Sequence, residues 1–196
     1  MTAIRRVCIY CGSNTGTRPA YTAAAARLGV ALGEQGLSLV YGGGNVGLMG
    51  VLADAALAAG VDVIGVIPEA LEAKELAHPR LTELRVVASM HERKALMAEL
   101  ADGFIAMPGG LGTLDELFET WTWAQLGFHG KPCGLLDVEE YFQPLIAFLD
   151  HAVLEGFVRA EHRRMTFVET DPLVLLDRFR SWKPSPIGKW LERSTL

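Results

Sequence analysis

The chain has 196 residues, half of them hydrophobic and 21% charged, a composition that suits one soluble globular unit with a substantial core. Its net charge of −5 argues against a dedicated binder of nucleic-acid backbones, which needs a basic face, but allows a local cleft for one phosphate. The three cysteines are few and odd in number, as expected in a reducing cytoplasm, and the Ala-rich run from Val51 to Pro68 is broken by Asp54, Gly60 and Asp62, so no membrane span is expected.

The first apolar run, Val7–Cys11, reads as a strand. Even with Arg5-Arg6 before it, the run is too short for the core of a signal peptide. Cys8 and Cys11 have a redox or zinc spacing, but side chains three apart on a strand point to opposite faces, so a structural role is expected. Helical patterns follow at Pro19–Gln35, Leu48–Ala59, Met90–Leu100, Leu114–Gln125, Tyr141–Leu154 and Pro172–Phe179. Strand patterns lie between them at Leu37–Tyr41, Asp62–Ile67, Leu84–Ala88, Gly103–Met107, Cys133–Leu136 and Met165–Val168. Several strands are continuous apolar runs, the mark of a sheet covered on both faces. The alternation predicts an α/β, Rossmann-like, doubly wound and mostly parallel sheet with helices on both faces. Residues 1–180 are expected to form a single nucleotide-binding catalytic domain. Residues 181–196, with Pro184 and Pro186, are expected to be an irregular tail whose Trp182 and Trp190 pack on the body or on a partner subunit.

Ligands of such sheets bind beyond the carboxyl ends of the strands, and glycine clusters fall there: Gly12-Ser13, Gly42-Gly43-Gly44 and Gly109-Gly110. Gly42 to Gly47 satisfies G-x-G-x-x-G, yet it follows the second strand, and the acidic residue after the third strand, Glu69, lies beyond Pro68. A close approach of backbone to ligand or to a neighbouring strand is the expectation, rather than NAD binding. The segment Pro108 to Glu116 is richer. Three glycines at a strand-to-helix turn leave N–H groups open at a helix end that carries roughly half a positive charge. Glu116 is placed about one turn into that helix. Thr113-x-x-Glu116 also reads as a capping box, but a cap does not require three preceding glycines. Ser89-x-x-Glu92 is a second such box. Arg93 and Lys94 after it form either a solvated basic face or an anion contact, and Arg93 can clamp a planar oxyanion with two hydrogen bonds. No metal-binding spacing and no Gly-x-Ser-x-Gly elbow is present, so neither metal nor cofactor is expected. Trp121 shares a helix face with Leu114, Leu117 and Phe118 and reads as core, whereas Trp123 points elsewhere and marks a candidate subunit contact.

With Tyr41 to Gly50, Met90-His91-Glu92-Arg93-Lys94 and Pro108 to Glu116 in this order, the chain resembles the LOG (Lonely Guy) family over about Val7 to Phe179. These are cytokinin-activating phosphoribohydrolases, once labelled putative lysine decarboxylases. The PGGxGTxxE signature is intact, with Asp115 where many plant members have glutamate. The resemblance implies a Rossmann-like homodimer that cleaves the N-glycosidic bond of a purine riboside 5′-monophosphate, cytokinin-type or AMP, to free base and ribose 5-phosphate, and the cysteine usage places it in the cytoplasm. It implies Arg93 and Glu116 as the catalytic pair. As substrate contacts it implies Glu75, Lys94, Gly109, Gly110, Leu111, Gly112, Thr113, Leu114, Asp115 and Thr122. The residues support ionised Glu116 in electrostatic or base work, favoured by the helix dipole and opposed by a phosphate nearby. Two other readings stand beside it: a non-catalytic carrier of a nucleotide or phosphorylated cofactor, and a pyridoxal-phosphate decarboxylase using Lys94 or Lys131.

Overall fold

The computed structural model describes residues 4–72 and 77–184. Seven strands form one parallel sheet: β1 (Arg6–Tyr10), β2 (Ser38–Tyr41), β3 (Val63–Pro68), β4 (Glu83–Val87), β5 (Gly103–Ala106), β6 (Cys133–Leu136) and β7 (Thr166–Glu169). Their spatial order is β4-β3-β2-β1-β5-β6-β7, and every pairing is parallel. The order reverses between β1 and β5. A crevice opens at such a point, because successive crossovers leave in opposite directions.

Among the described residues, eight α-helices lie between and after the strands: α1 (Pro19–Glu34), α2 (Gly47–Ala58), α3 (Glu69–Glu72), α4 (Met90–Leu100), α5 (Leu111–Gln125), α6 (Gln143–Leu154), α7 (Ala160–Arg163) and, beyond β7, α8 (Pro172–Ser181). Two large cores result among the described residues, one on each face of the sheet, beside a small cluster of Trp121, Ala124, Leu149 and Met165. Ala25, Leu28 and Leu32 of α1, Leu52 and Ala56 of α2, and Leu175 and Phe179 of α8 pack on one face, against Val7, Ile9 and Leu39. Met97 and Ala98 of α4, Leu117 of α5 and Phe142 pack on the other, against Cys8, Tyr10, Val40 and Phe104. This sandwich explains why β3 is buried along its whole length. It also separates Cys8 and Cys11 onto opposite faces, both buried. Desolvation pushes both thiols well above the ordinary range.

Three local features depart from the sequence expectation. Helix α5 starts at Leu111, not Leu114, since Gly110 rather than Thr113 adopts the extended conformation of an N-cap. The short helices α3 and α7, four residues each, carry no periodicity long enough to read. Helix α8 runs to Ser181, and Trp182 beyond it packs on the body, its indole N–H donating to Gly130 O at 2.8 Å and its ring edge-on to Phe167. Glu75, Pro186 and Trp190 lie outside the described residues. Trp121 is buried, and Trp123 is half-buried against the α4–α5 core. No helix among the described residues is long and apolar enough to cross a membrane.

Candidate active site

A cleft of about 400 Å³ opens at the reversal point, beyond the carboxyl ends of β1, β2, β3 and β5. Its walls are Cys11 and Ser13 after β1, Gly42 and Gly44 after β2, Ile67 at the end of β3, and Gly110 to Thr113 at the start of α5. Arg93 and Glu116 complete it, and Val46, Met49 and Leu71 make one side apolar.

The anion-binding end follows from how α5 begins. Its first intrahelical bond runs from Leu114 N–H to Gly110 O at 3.2 Å, and no side chain caps the end. The N–H groups of Leu111, Gly112 and Thr113 therefore precede the helical ladder and face the cleft mouth with the positive end of the dipole. Thr113 is the third helical residue, so the expected capping box with Glu116 does not form. The other box does. Ser89 Oγ accepts from Glu92 N–H at 3.1 Å, and the Glu92 carboxylate accepts from Ala88 N–H at 2.9 Å.

That second cap fixes the first turn of α4, which carries Arg93 into the cleft floor. Arg93 Nε donates to Val66 O at 3.1 Å and Nη2 to Gly42 O at 3.3 Å. Nη1 lies 3.4 Å from Glu116 Oε1, with side chains only 11% and 10% exposed. Gly42 makes this seat possible, because a Cβ there would overlap Nη2 and sit 3.0 Å from Cζ. The neighbouring Gly43 has φ +73° and lies against Val66 and Ile67 of β3. The glycine triplet thus serves a guanidinium and a neighbouring strand.

Burial pushes the Glu116 carboxyl above its ordinary range; Arg93 pulls it back, and Asp115 adds to the rise. This corrects the expectation that the helix start favours ionisation. With α5 beginning at Leu111, Glu116 is its sixth residue, beyond the first turn over which the helix end acts, and desolvation wins.

The remaining expected contacts divide. Gly110 to Thr113 line the cleft, and Gly109 begins the turn that leads to it. Leu114 instead packs into the α4–α5 core, and Asp115 and Thr122 are exposed. Lys94 is held at 3.1 Å by Asp115 and at 3.2 Å by Glu119, away from the cleft lining. Burial pulls its ammonium down, but those two carboxylates outweigh it and leave its pKa raised. Lys131 precedes β6, at the opposite end of the sheet, and donates to Ala98 O at 2.7 Å. Sequence reasoning missed Cys11, Val46, Met49, Ile67 and Leu71. Val46 and Met49 belong to the Tyr41 to Gly50 motif, but nothing in the sequence marks that their side chains, or those of Cys11, Ile67 and Leu71, line a cleft. Among the described residues no cluster of His, Cys, Asp or Glu could hold a metal ion.

Residues 49–179 match a family model described as "Possible lysine decarboxylase". The chain is 52% identical over 161 residues to cytokinin riboside 5′-monophosphate phosphoribohydrolase LOG of Oryza sativa subsp. japonica. That match covers 82% of this chain and 66% of the relative, just under two thirds of its length. It is 47% identical over 180 residues to the LOG7 protein of the same description from Arabidopsis thaliana, covering 92% and 83% of the two chains. Among solved structures, the molybdenum cofactor binding protein from the phototrophic bacterium Rippkaea orientalis superposes with a TM-score of 0.70 at 21% identity, covering 92% of this chain and 98% of that one. The molybdenum cofactor carrier protein of Chlamydomonas reinhardtii gives 0.69 at 18% identity, covering 92% and 100%. At those identities the likeness concerns the fold alone.

Proposed function

This chain belongs to the LOG family, and from that premise we propose that it hydrolyses the N-glycosidic bond of purine riboside 5′-monophosphates, releasing free base and ribose 5-phosphate. The observation that carries the reading is the Arg93–Glu116 pair, buried 3.4 Å apart in the same cleft as the open end of α5.

The 5′-phosphate docks on the N–H groups of Leu111, Gly112 and Thr113, where the dipole and the unpaired donors suit a dianion. The ribose then lies toward Glu116, and the purine toward Val46, Met49, Ile67 and Leu71. Breaking the bond from C1′ to the purine nitrogen builds positive charge on the ribose ring. The Glu116 carboxylate stabilises that charge and accepts a proton from the water whose oxygen bonds to C1′. The departing purine nitrogen takes a proton from solvent and Glu116 returns the one it accepted, so one water is consumed overall. Arg93 pulls the Glu116 carboxyl back down against the rise that burial causes, and its guanidinium fixes the carboxylate's direction. A carboxylate held above its usual pKa is a better base near neutrality than an ordinary one.

A carrier on the same fold would use the glycine turn but has no use for a buried ion pair, which stabilises a fold no better than apolar packing. For the decarboxylase reading, Lys94 is a poor Schiff-base amine, clamped by two carboxylates and kept protonated. Both AMP and its N6-isopentenyl derivative are proposed substrates, the apolar wall giving room for the substituent. The protein is further proposed to be a cytoplasmic homodimer. Its buried free cysteines suit a reducing compartment, and the exposed Phe148 and Phe157 offer apolar surface for a second copy. Incubation with each monophosphate should release free base, detected by chromatography, and Glu116→Gln should abolish the release. Nucleotide bound unchanged by the wild-type protein would support the carrier instead. Sedimentation at micromolar concentration tests the dimer.

A further inference from the structure

A second cavity of about 300 Å³ lies across the Gly109-Gly110 turn from the cleft, and Tyr141 lines it. The Tyr141 hydroxyl donates to Gly109 O at 2.5 Å. The carbonyl of Gly109 and the N–H of Gly110 belong to one planar trans peptide, so they point in opposite directions. Holding the carbonyl toward Tyr141 aims the Gly110 N–H toward the cleft, which Gly110 also lines. Donation to the carbonyl further polarises that N–H as a donor.

The chain invests in this placement. Between β6 and α6, Glu139 and Glu140 both take left-handed conformations, with φ of 55° and 59°, which cost non-glycine residues free energy. Asp137, buried at the end of β6, anchors the far side of the turn. Its carboxylate accepts from Phe142 N–H at 2.8 Å and from Gln143 Nε2 at 2.6 Å. The Tyr141 ring is held edge-on by Tyr21 and Phe142. A surface loop free to relax would not keep two adjacent glutamates in that region without such anchors.

We propose that Tyr141 is a positioning residue for the anion cradle: through the Gly109 carbonyl it sets the Gly110 N–H as a fourth donor to the substrate's 5′-phosphate. The inference rests on the nucleotide-hydrolase reading above. It is tested by calorimetric binding of AMP and of adenosine to wild-type protein and to Tyr141→Phe, with Glu116→Gln in both backgrounds to prevent turnover. Wild type should prefer AMP. Tyr141→Phe keeps the ring contacts and should lower the AMP-to-adenosine affinity ratio roughly 5- to 10-fold, the worth of one hydrogen bond. Glu140→Gly, which accepts the same φ without strain, should raise Tm and keep that ratio. A ratio unchanged in Tyr141→Phe overturns the role of Tyr141 alone. Loss of both affinities in proportion makes the tyrosine structural and also overturns it. Absence of any AMP preference in the wild-type background overturns the phosphate cradle itself.

Discussion

Gly42→Ala is the sharpest perturbation of this site, because it adds one methyl group and removes no functional atom. The backbone at Gly42 is not left-handed, so alanine fits its conformation; the obstacle is the overlap of the new Cβ with Arg93 Nη2. Ordinary contact requires the guanidinium to withdraw by at least about 1 Å, since side chains cannot share that space. Arg93 then loses its 3.3 Å bond to Gly42 O and its alignment on Glu116, while Val66 O at 3.1 Å becomes the pivot. Overpacking of this kind costs about 1–3 kcal/mol of stability. A misplacement of about 1 Å in catalytic geometry costs about 100-fold in rate, or about 2.7 kcal/mol of barrier. The expectation is a folded protein whose kcat/KM for AMP falls about 100-fold, measured by base release. In an Arg93→Lys background, where Nη2 is absent, the same alanine should cost far less, and a double-mutant cycle reads that coupling. Equal losses in both backgrounds would show that Gly42 acts by some route other than seating the guanidinium.

Other outcomes follow from the same geometry. Arg93→Ala should lower unfolding free energy by about 3–5 kcal/mol in denaturant titration, because it leaves the Glu116 carboxylate buried without its cation; an Arg93→Ala protein as stable as wild type would contradict this. Glu116 binds its proton more tightly folded than unfolded. Stability contributed through this group is therefore present below the ordinary carboxylate pKa of 4.5 and is lost as pH rises to the raised folded value. Glu116→Gln should lack this pH dependence, its stability falling less than that of wild type as pH rises across that window, and the acid limb of wild-type kcat/KM should lie above the usual carboxylate range. A limb at an ordinary glutamate pKa would refute the burial argument. Ser89→Ala, which removes the α4 cap, should cost about 1 kcal/mol and lower Tm by about 2–4 °C. Added pyridoxal phosphate should leave the absorption spectrum free of an internal Schiff-base band, since Lys94 is protonated and doubly paired and Lys131 lies at the opposite end of the sheet from the cleft.

Much of this architecture was legible in the linear chain. Apolar runs such as Val63 to Ile67, alternating with helical periods, specify a covered parallel sheet, because only burial on both faces requires such runs. The turn Pro108 to Gly112 announced an open helix end for the same local reason: glycines and a helix start leave donors uncovered wherever they fall. The Ser89–Glu92 cap was equally readable, since its partners lie within one turn. Tertiary structure alone decided how those donors meet their chemistry. Arg93 faces Glu116 only because β3 and the turn after β2 present the carbonyls of Val66 and Gly42 to the guanidinium. Lys94, adjacent in sequence, turns instead to Asp115 and Glu119. The pKa of Glu116 likewise depends on desolvation by distant segments, which no spacing encodes. Local propensity acts over a few residues and survives in the sequence, whereas burial and charge pairing are set by neighbours far apart in the chain.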